Sequence, residues 1–179
     1  LLGGNKEPKP DSTDTQAETI FFNSETNEFT KKQKLNYPRW YGSIVRLDTD
    51  EFLIVGGHDK TNNVSSITPE ILKKTGQEGY YWKPLDGAKS KEAFGKYQAD
   101  EWSYPKSYLA SDGSVVGISY NTLWRLDYKG DGKLKIVGNI PLAKDGFKQV
   151  LIEKNQNNPN MEKNLMIGTV GAAVGSTAT

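Results

Sequence analysis

Strand-length apolar runs, each closed by a turn signal, recur along the chain. They are Ile20-Phe21-Phe22, residues 42–47 (GSIVRL), Phe52-Leu53-Ile54-Val55, residues 114–118 (SVVGI), Leu123-Trp124-Arg125-Leu126 and Leu134-Lys135-Ile136-Val137. Short runs rich in β-branched and aromatic residues predict strands, and helix is the poorer expectation. Between them stand Ser24-Glu25-Thr26-Asn27, Asp48-Thr49-Asp50, Asp112-Gly113 and Lys129-Gly130-Asp131-Gly132. Each is rich in residues that reverse a chain, and Asp-Gly is among the stronger short hairpin signals. The pattern predicts a meander of antiparallel strands.

The pattern also repeats. Leu1-Leu2-Gly3-Gly4 returns as Ile54-Val55-Gly56-Gly57, an interval close to the ~50-residue kelch period. Tyr37-Pro38-Arg39-Trp40-Tyr41 returns, after a longer interval, as Tyr104-Pro105-Lys106-Ser107-Tyr108. The excess length calls for an insertion, which residues 88–103, rich in Lys, Gly and acidic side chains, would hold. An outer hairpin follows each strand pair at 18–35, 69–85 and 121–142, and strand, strand, hairpin is the layout of a propeller blade. The expectation is an all-β fold: a kelch-type β-propeller segment of about three to four blades of four-stranded antiparallel sheet. Residues 1–36 read as the end of one blade, 37–87 as a blade with the Arg-Trp-Tyr motif and 88–103 as an insertion loop. Residues 104–150 read as the next blade, 151–168 as a linker and 169–179 as the first strand of a further blade. With both ends reading as the interior of blades, the expected partner is the rest of the propeller, on the same or a separate polypeptide.

Composition agrees with strands and turns: 6 Phe, 9 Tyr, 4 Trp and 18 Gly accompany only 35% hydrophobic residues. Lys+Arg 23 against Asp+Glu 22 leaves a net charge of +1, and no basic run occurs, which disfavours a nucleic-acid partner. No apolar stretch approaches the ~18–20 residues of a membrane span, and residues 1–20 lack the pattern of a signal peptide. The absence of cysteine excludes disulfides and thiolate chemistry within these residues. With His58 the only histidine, no multi-histidine metal site can be completed by this chain.

At Arg39-Trp40-Tyr41, followed by residues 42–47 and Gly56-Gly57, the sequence resembles the galactose oxidase and glyoxal oxidase family of copper-radical oxidases. In that family an Arg-x-Tyr motif starts the first strand of a blade and a Gly-Gly closes the second, at the spacing that separates Tyr41 from Gly56. The resemblance runs back to Gly3-Gly4-Asn5 and forward through Pro69-Glu70 to Tyr104-Pro105 and residues 172–179. It implies a secreted enzyme, extracellular or at the cell surface, that oxidises a primary alcohol or aldehyde with O2 to give H2O2. Tyr41 would be the catalytic residue: a copper ligand joined to a cysteine sulfur, carrying the radical. That cysteine would precede Leu1. A second tyrosine beside a histidine, and another histidine, would follow Thr179. Tyr104 and Lys106 match a Tyr/Arg pair that contacts substrate, although lysine lacks the bidentate fork of arginine. Asp59 stands where galactose oxidases place an aromatic over the modified tyrosine, so His58 would cover the site from the neighbouring position.

Each of these residues also has a plainer reading. Gly-Gly lets a chain turn where two sheets come close. Trp82, Trp124 and Phe29 read as packing between blades, Tyr41 as an inner-strand aromatic, His58 as a solvent-facing loop residue and Lys106 as a surface lysine. Arg39 would alternate with Tyr41 along a strand and point the same way, either bracing the phenolate or pairing with a carboxylate between blades. The alternative function is a noncatalytic kelch-type propeller serving adhesion, carbohydrate binding or scaffolding. Asn63-Val64-Ser65 matches a glycosylation acceptor in a loop. Residues 5–16 and 155–160 read as polar loop and linker.

Overall fold

The computed structural model describes residues 2–4, 16–76, 79–95 and 103–139, together with the backbone of 147–151 and 167–171. Among them the chain is all-β, built of antiparallel sheets. Strands β1 (Thr19–Asn23) and β2 (Glu28–Lys32) form a hairpin. A four-stranded sheet follows from β3 (Ser43–Arg46), β4 (Phe52–Val55), β7 (Glu70–Thr75) and β8 (Gly79–Pro84), paired in chain order. Between β4 and β7 the chain makes a small hairpin of β5 (His58–Asp59) and β6 (Val64–Ser65). A second four-stranded meander contains β9 (Lys106–Leu109), β10 (Val115–Ser119), β11 (Thr122–Asp127) and β12 (Lys133–Asn139). A last hairpin joins β13 (Phe147–Leu151) to β14 (Ile167–Gly171). Of the expected strand of 169–179, residues 169–171 fall in β14, while 172–179 and the run 155–160 lie outside the described residues, as does 5–15 of the first loop. No helix among the described residues is long and apolar enough to cross a membrane.

The turns that reverse these strands are those the sequence marks. Asn23 Oδ1 accepts from the amides of Glu25 at 2.9 Å and Thr26 at 3.4 Å, closing the first hairpin beside Asn27 at φ 57°. In the β3–β4 turn, Asp50 takes the left-handed conformation and the Leu47 amide donates to Glu51 O at 2.9 Å.

The middle sheet is covered on both faces, as period-two alternation requires when neither face meets water. One face, through Val45, Leu53, Val55 and Ile71, packs on Val115, Trp124 and Leu126 of the second meander. The other, through Ile54, Leu72 and Trp82, packs with Leu35, Leu2 and Phe21 of the first hairpin region. Strand β3 lies beside β9, so the leading strands of the two meanders are neighbours.

From the trailing strand β8 the chain returns between the sheets. A 3-10 turn at Asp86–Ala88 sends the Gly87 amide to Asp131 O at 2.9 Å, and a short helix, α1 (Lys91–Phe94), follows. Thus residues 88–103, expected as an insertion loop, contain a helix. Ser90 caps it, accepting from the Ala93 amide at 3.0 Å, and Phe94 meets Trp124 edge-on at 5.2 Å.

Trp82 and Trp124 are buried as expected, but Phe29 is 67% exposed. It pairs with Phe22 near the turn of the first hairpin, outside the cluster that seats Phe21 against the middle sheet.

The Gly-Gly repeat is real in the backbone. Gly3 and Gly56 have φ of 62° and 65°, and Gly4 and Gly57 have 105° and 93°. The carbonyl of the second glycine accepts an amide in both copies, from Gln16 at 2.7 Å and from Ser66 at 2.9 Å. A side chain at Gly57 would meet Arg39 Cβ at 2.9 Å, so the glycine is needed for space as well as for conformation.

Candidate functional site

The Arg39-Trp40-Tyr41 segment links the first hairpin to β3, with Arg39 turned inward and Trp40 and Tyr41 stacked on each other. Arg39 is buried, 1% exposed. Its Nη1 donates to Gly56 O at 2.6 Å and Ser66 O at 3.1 Å, and its Nη2 donates to Thr68 O and to Glu70 Oε1 at 3.0 Å. Glu70 in turn accepts from the Asn36 amide at 2.8 Å, Asn36 Nδ2 at 2.7 Å and the Tyr37 amide at 3.1 Å. Burial pushes the Arg39 guanidinium down from its ordinary value, and the Glu70 charge and hydrogen bond oppose that.

Arg39 therefore ties the Gly-Gly turn to the start of β7, and its carboxylate partner is Glu70 of the sheet it leads into, in place of a phenolate or a carboxylate between blades. It does not point the same way as Tyr41. Alternation fails because the strand begins only at Ser43 and Tyr41 is left-handed, with φ 62°.

Tyr41 is 36% exposed and sits in a column of rings. Trp40 stacks on it with centroids 3.7 Å apart and planes at 24°, and Tyr104 stacks at 4.6 Å and 25°. Two rings this close cannot share one face, so they take opposite sides. Backbone geometry sets the column. Tyr104 is also left-handed, with φ 44°, and its amide donates to Tyr41 O at 2.8 Å, joining the heads of the two meanders. Burial, then the neighbouring Tyr41, raises the Tyr104 phenol above its ordinary value. Lys106 opens β9 two residues further on, exposed.

His58 departs from expectation: it is 4% exposed rather than solvent-facing. Its backbone pairs with Trp40 on both sides, Trp40 N to His58 O at 3.0 Å and His58 N to Trp40 O at 2.9 Å, which draws it inward. Burial lowers the imidazole pKa, against a hydrogen bond to Asn63 that raises it. Asp59 carries no ring to cover Tyr41. Its carboxylate closes the β5–β6 turn, accepting from the Thr61 amide at 3.0 Å, the Asn62 amide at 3.3 Å and Asn62 Nδ2 at 2.7 Å. Asn63, in that turn at φ 53°, is exposed.

The rings that cover Tyr41 are thus Trp40 and Tyr104. The middle residue of the motif was the available signal for Trp40, but only the left-handed turn at Tyr41 folds the phenol back on its neighbour. Lys60, whose Nζ stands 3.3 Å from the Trp40 ring centroid, had no sequence signal.

As a copper site the described residues fit one position. The Tyr41 phenol is an oxygen donor of suitable chemistry, but no group of three His, Cys, Asp or Glu comes together among the described residues. No protein-family model matches the chain, and no curated protein matches it.

Proposed function

We propose that this chain is a segment of a kelch-type β-propeller from a secreted copper-radical oxidase, with Tyr41 as the reactive phenol. Three features of the fold support the propeller reading: a meander covered on both faces, leading strands that lie side by side, and a chain that returns between sheets from trailing to leading strand. The observation that carries the enzymatic reading is the column. A phenol held between two rings on a left-handed turn is costly to build, and such backbone strain clusters at functional sites.

Copper, when bound with ligands from outside these residues, would supply the electron acceptor beside the phenol. The chain's own groups do the rest. Trp40 and Tyr104 shield the faces of the Tyr41 ring from water and fix its orientation. Tyr104 and Lys106 offer a hydroxyl and an ammonium at the head of β9 to an alcohol or aldehyde-hydrate oxygen.

The test uses the parent protein, carrying its sequence before Leu1 and after Thr179, loaded with copper. Peroxide release from primary alcohols and aldehydes, with a Cys–Tyr41 crosslink seen by peptide mass spectrometry as the loss of two hydrogens, is the expected result. Tyr41→Phe should remove both. A copper-loaded parent with neither crosslink nor peroxide would overturn the reading.

One observation favours the second reading, a noncatalytic propeller for adhesion, carbohydrate binding or scaffolding. Both terminal nitrogens of Arg39 hold the Gly-Gly turn and Glu70, the role a blade signature would have without chemistry.

A further inference from the structure

Stacked rings ordinarily avoid eclipsing one another. Their faces carry like quadrupoles, so offset or edge-on pairs with centroids ~4.5–7 Å apart are preferred. Trp40 and Tyr41 nevertheless lie nearly face to face at 3.7 Å. What differs here is the charge on the far side: Lys60 Nζ sits 3.3 Å from the Trp40 centroid, and with Tyr41 occupying one face it must hold the other. An ammonium there draws the indole π density toward itself and leaves the Tyr41 side poorer in electrons. That weakens the quadrupole repulsion between the two faces and favours the contact with the electron-rich phenol.

The placement follows from the backbone. Trp40 bridges His58, and in an antiparallel pair the residue two beyond the partner is a diagonal neighbour on the same face. That residue is Lys60. The Asp59 carboxylate fixes the turn that begins there, so Lys60 is delivered over the indole.

We propose that Lys60 is a positioning residue for Tyr41: its ammonium, acting through Trp40, holds the phenol in the stacked orientation. The geometric part stands on its own, and the consequence for turnover rests on the oxidase reading above.

Proton NMR of the parent protein, selectively labelled at lysine and tyrosine, tests the first part. The Lys60 ε-methylene and the Tyr41 ring protons should lie upfield of their ordinary positions through the Trp40 ring current. Lys60→Met should release the upfield shift of the Tyr41 ring, and Lys60→Arg, which keeps the cation, should retain it. Should Lys60→Met leave the Tyr41 shifts where they are in a folded chain, or should Lys60→Arg lose them as fully as Met does, the proposal falls. In the copper-loaded parent, Lys60→Met should lower kcat by about two- to fivefold, the factor an exposed cation–π contact carries, with KM unchanged and with Lys60→Arg restoring the rate. An active parent whose kcat ignores Lys60→Met would overturn the catalytic part. A parent that makes no peroxide at all, with the NMR shifts as expected, would sink the oxidase reading and leave Lys60 as the residue that seats the ring.

Discussion

Arg39 and Glu70 illustrate what a buried charge requires. Both side chains are fully enclosed, and each survives there because the other, together with backbone groups, replaces the water it lost. Removing one partner strands the other, so Arg39→Met should cost about 3–5 kcal/mol in urea denaturation. Arg39→Met combined with Glu70→Leu should recover part of that loss, since no lone charge is left. Two titrations belong to the same scale. His58 has a folded pKa below the ordinary 6.5, so the folded state binds fewer protons than the unfolded one. Its contribution is present above pH 6.5 and is lost as pH falls through the depressed value. As the only histidine, it can be followed by NMR, with a midpoint expected below 6.5. Tyr128, buried and donating to Asp48 Oδ1 at 2.7 Å, is pushed up to about 12. Its stabilisation is complete below the ordinary 10.0 and is lost as pH rises to about 12, a step that Tyr128→Phe should abolish in alkaline denaturation curves.

Among the elements, the two Gly-Gly turns separate conformation from space. Gly4 and Gly57 share a left-handed φ, 105° and 93°, but a side chain at Gly4 would meet nothing within 4 Å, whereas at Gly57 it would press on Arg39 Cβ and on Trp40 O at 3.1 Å. Gly4→Ala should therefore cost only the backbone term, about 1–2 kcal/mol. Gly57→Ala should cost distinctly more in thermal or chemical denaturation, because the Arg39 anchor has to move as well. Equal losses would mean that crowding at Gly57 is relieved without cost. A related constraint acts within the second meander, where Gly117 on β10 leaves room for the fully buried Trp124 ring, whose Nε1 donates to Ser119 Oγ at 2.8 Å.

For the molecule as described, the decisive feature is a sheet buried on both sides. Leu53, Val55 and Ile71 are 0% exposed on one face and Ile54 is 1% exposed on the other. Full burial of such a side chain contributes about 1.5–3 kcal/mol, and β4 and β7 are the strands of this sheet with enclosed side chains on both faces. Hydrogen exchange should accordingly be slower in these two strands than in the sheet-edge strands β8 and β12, whose outer amides have no further strand beside them among the described residues. Uniform protection across each sheet would contradict this concentration of the core.

The chain's own pattern marked the first hairpin, the two meanders and the double-glycine repeat, because strand alternation, turn residues and left-handed glycines are local properties that a few neighbouring residues set; it marked neither the β5–β6 hairpin nor the pairing of β13 with β14. The recurring Tyr-Pro motif aligned Tyr104 with Tyr37 and Tyr41 with Tyr108; it was the oxidase resemblance alone that put Tyr41 and Tyr104 at one site. The pattern could not say that Arg39 would serve Glu70, that Phe29 would stay exposed or that His58 would be buried, since each depends on what another sheet or hairpin brings alongside. The helix at Lys91–Phe94 was hidden for the same reason: it is too short to show periodicity and exists because Ser90 caps it and the core takes Phe94. The column of Lys60, Trp40, Tyr41 and Tyr104 was decided by tertiary structure alone. The column joins three segments, the Trp40-Tyr41 turn, the β5–β6 turn that carries Lys60 and the head of β9 that carries Tyr104, and only the folded backbone brings them within a few ångströms.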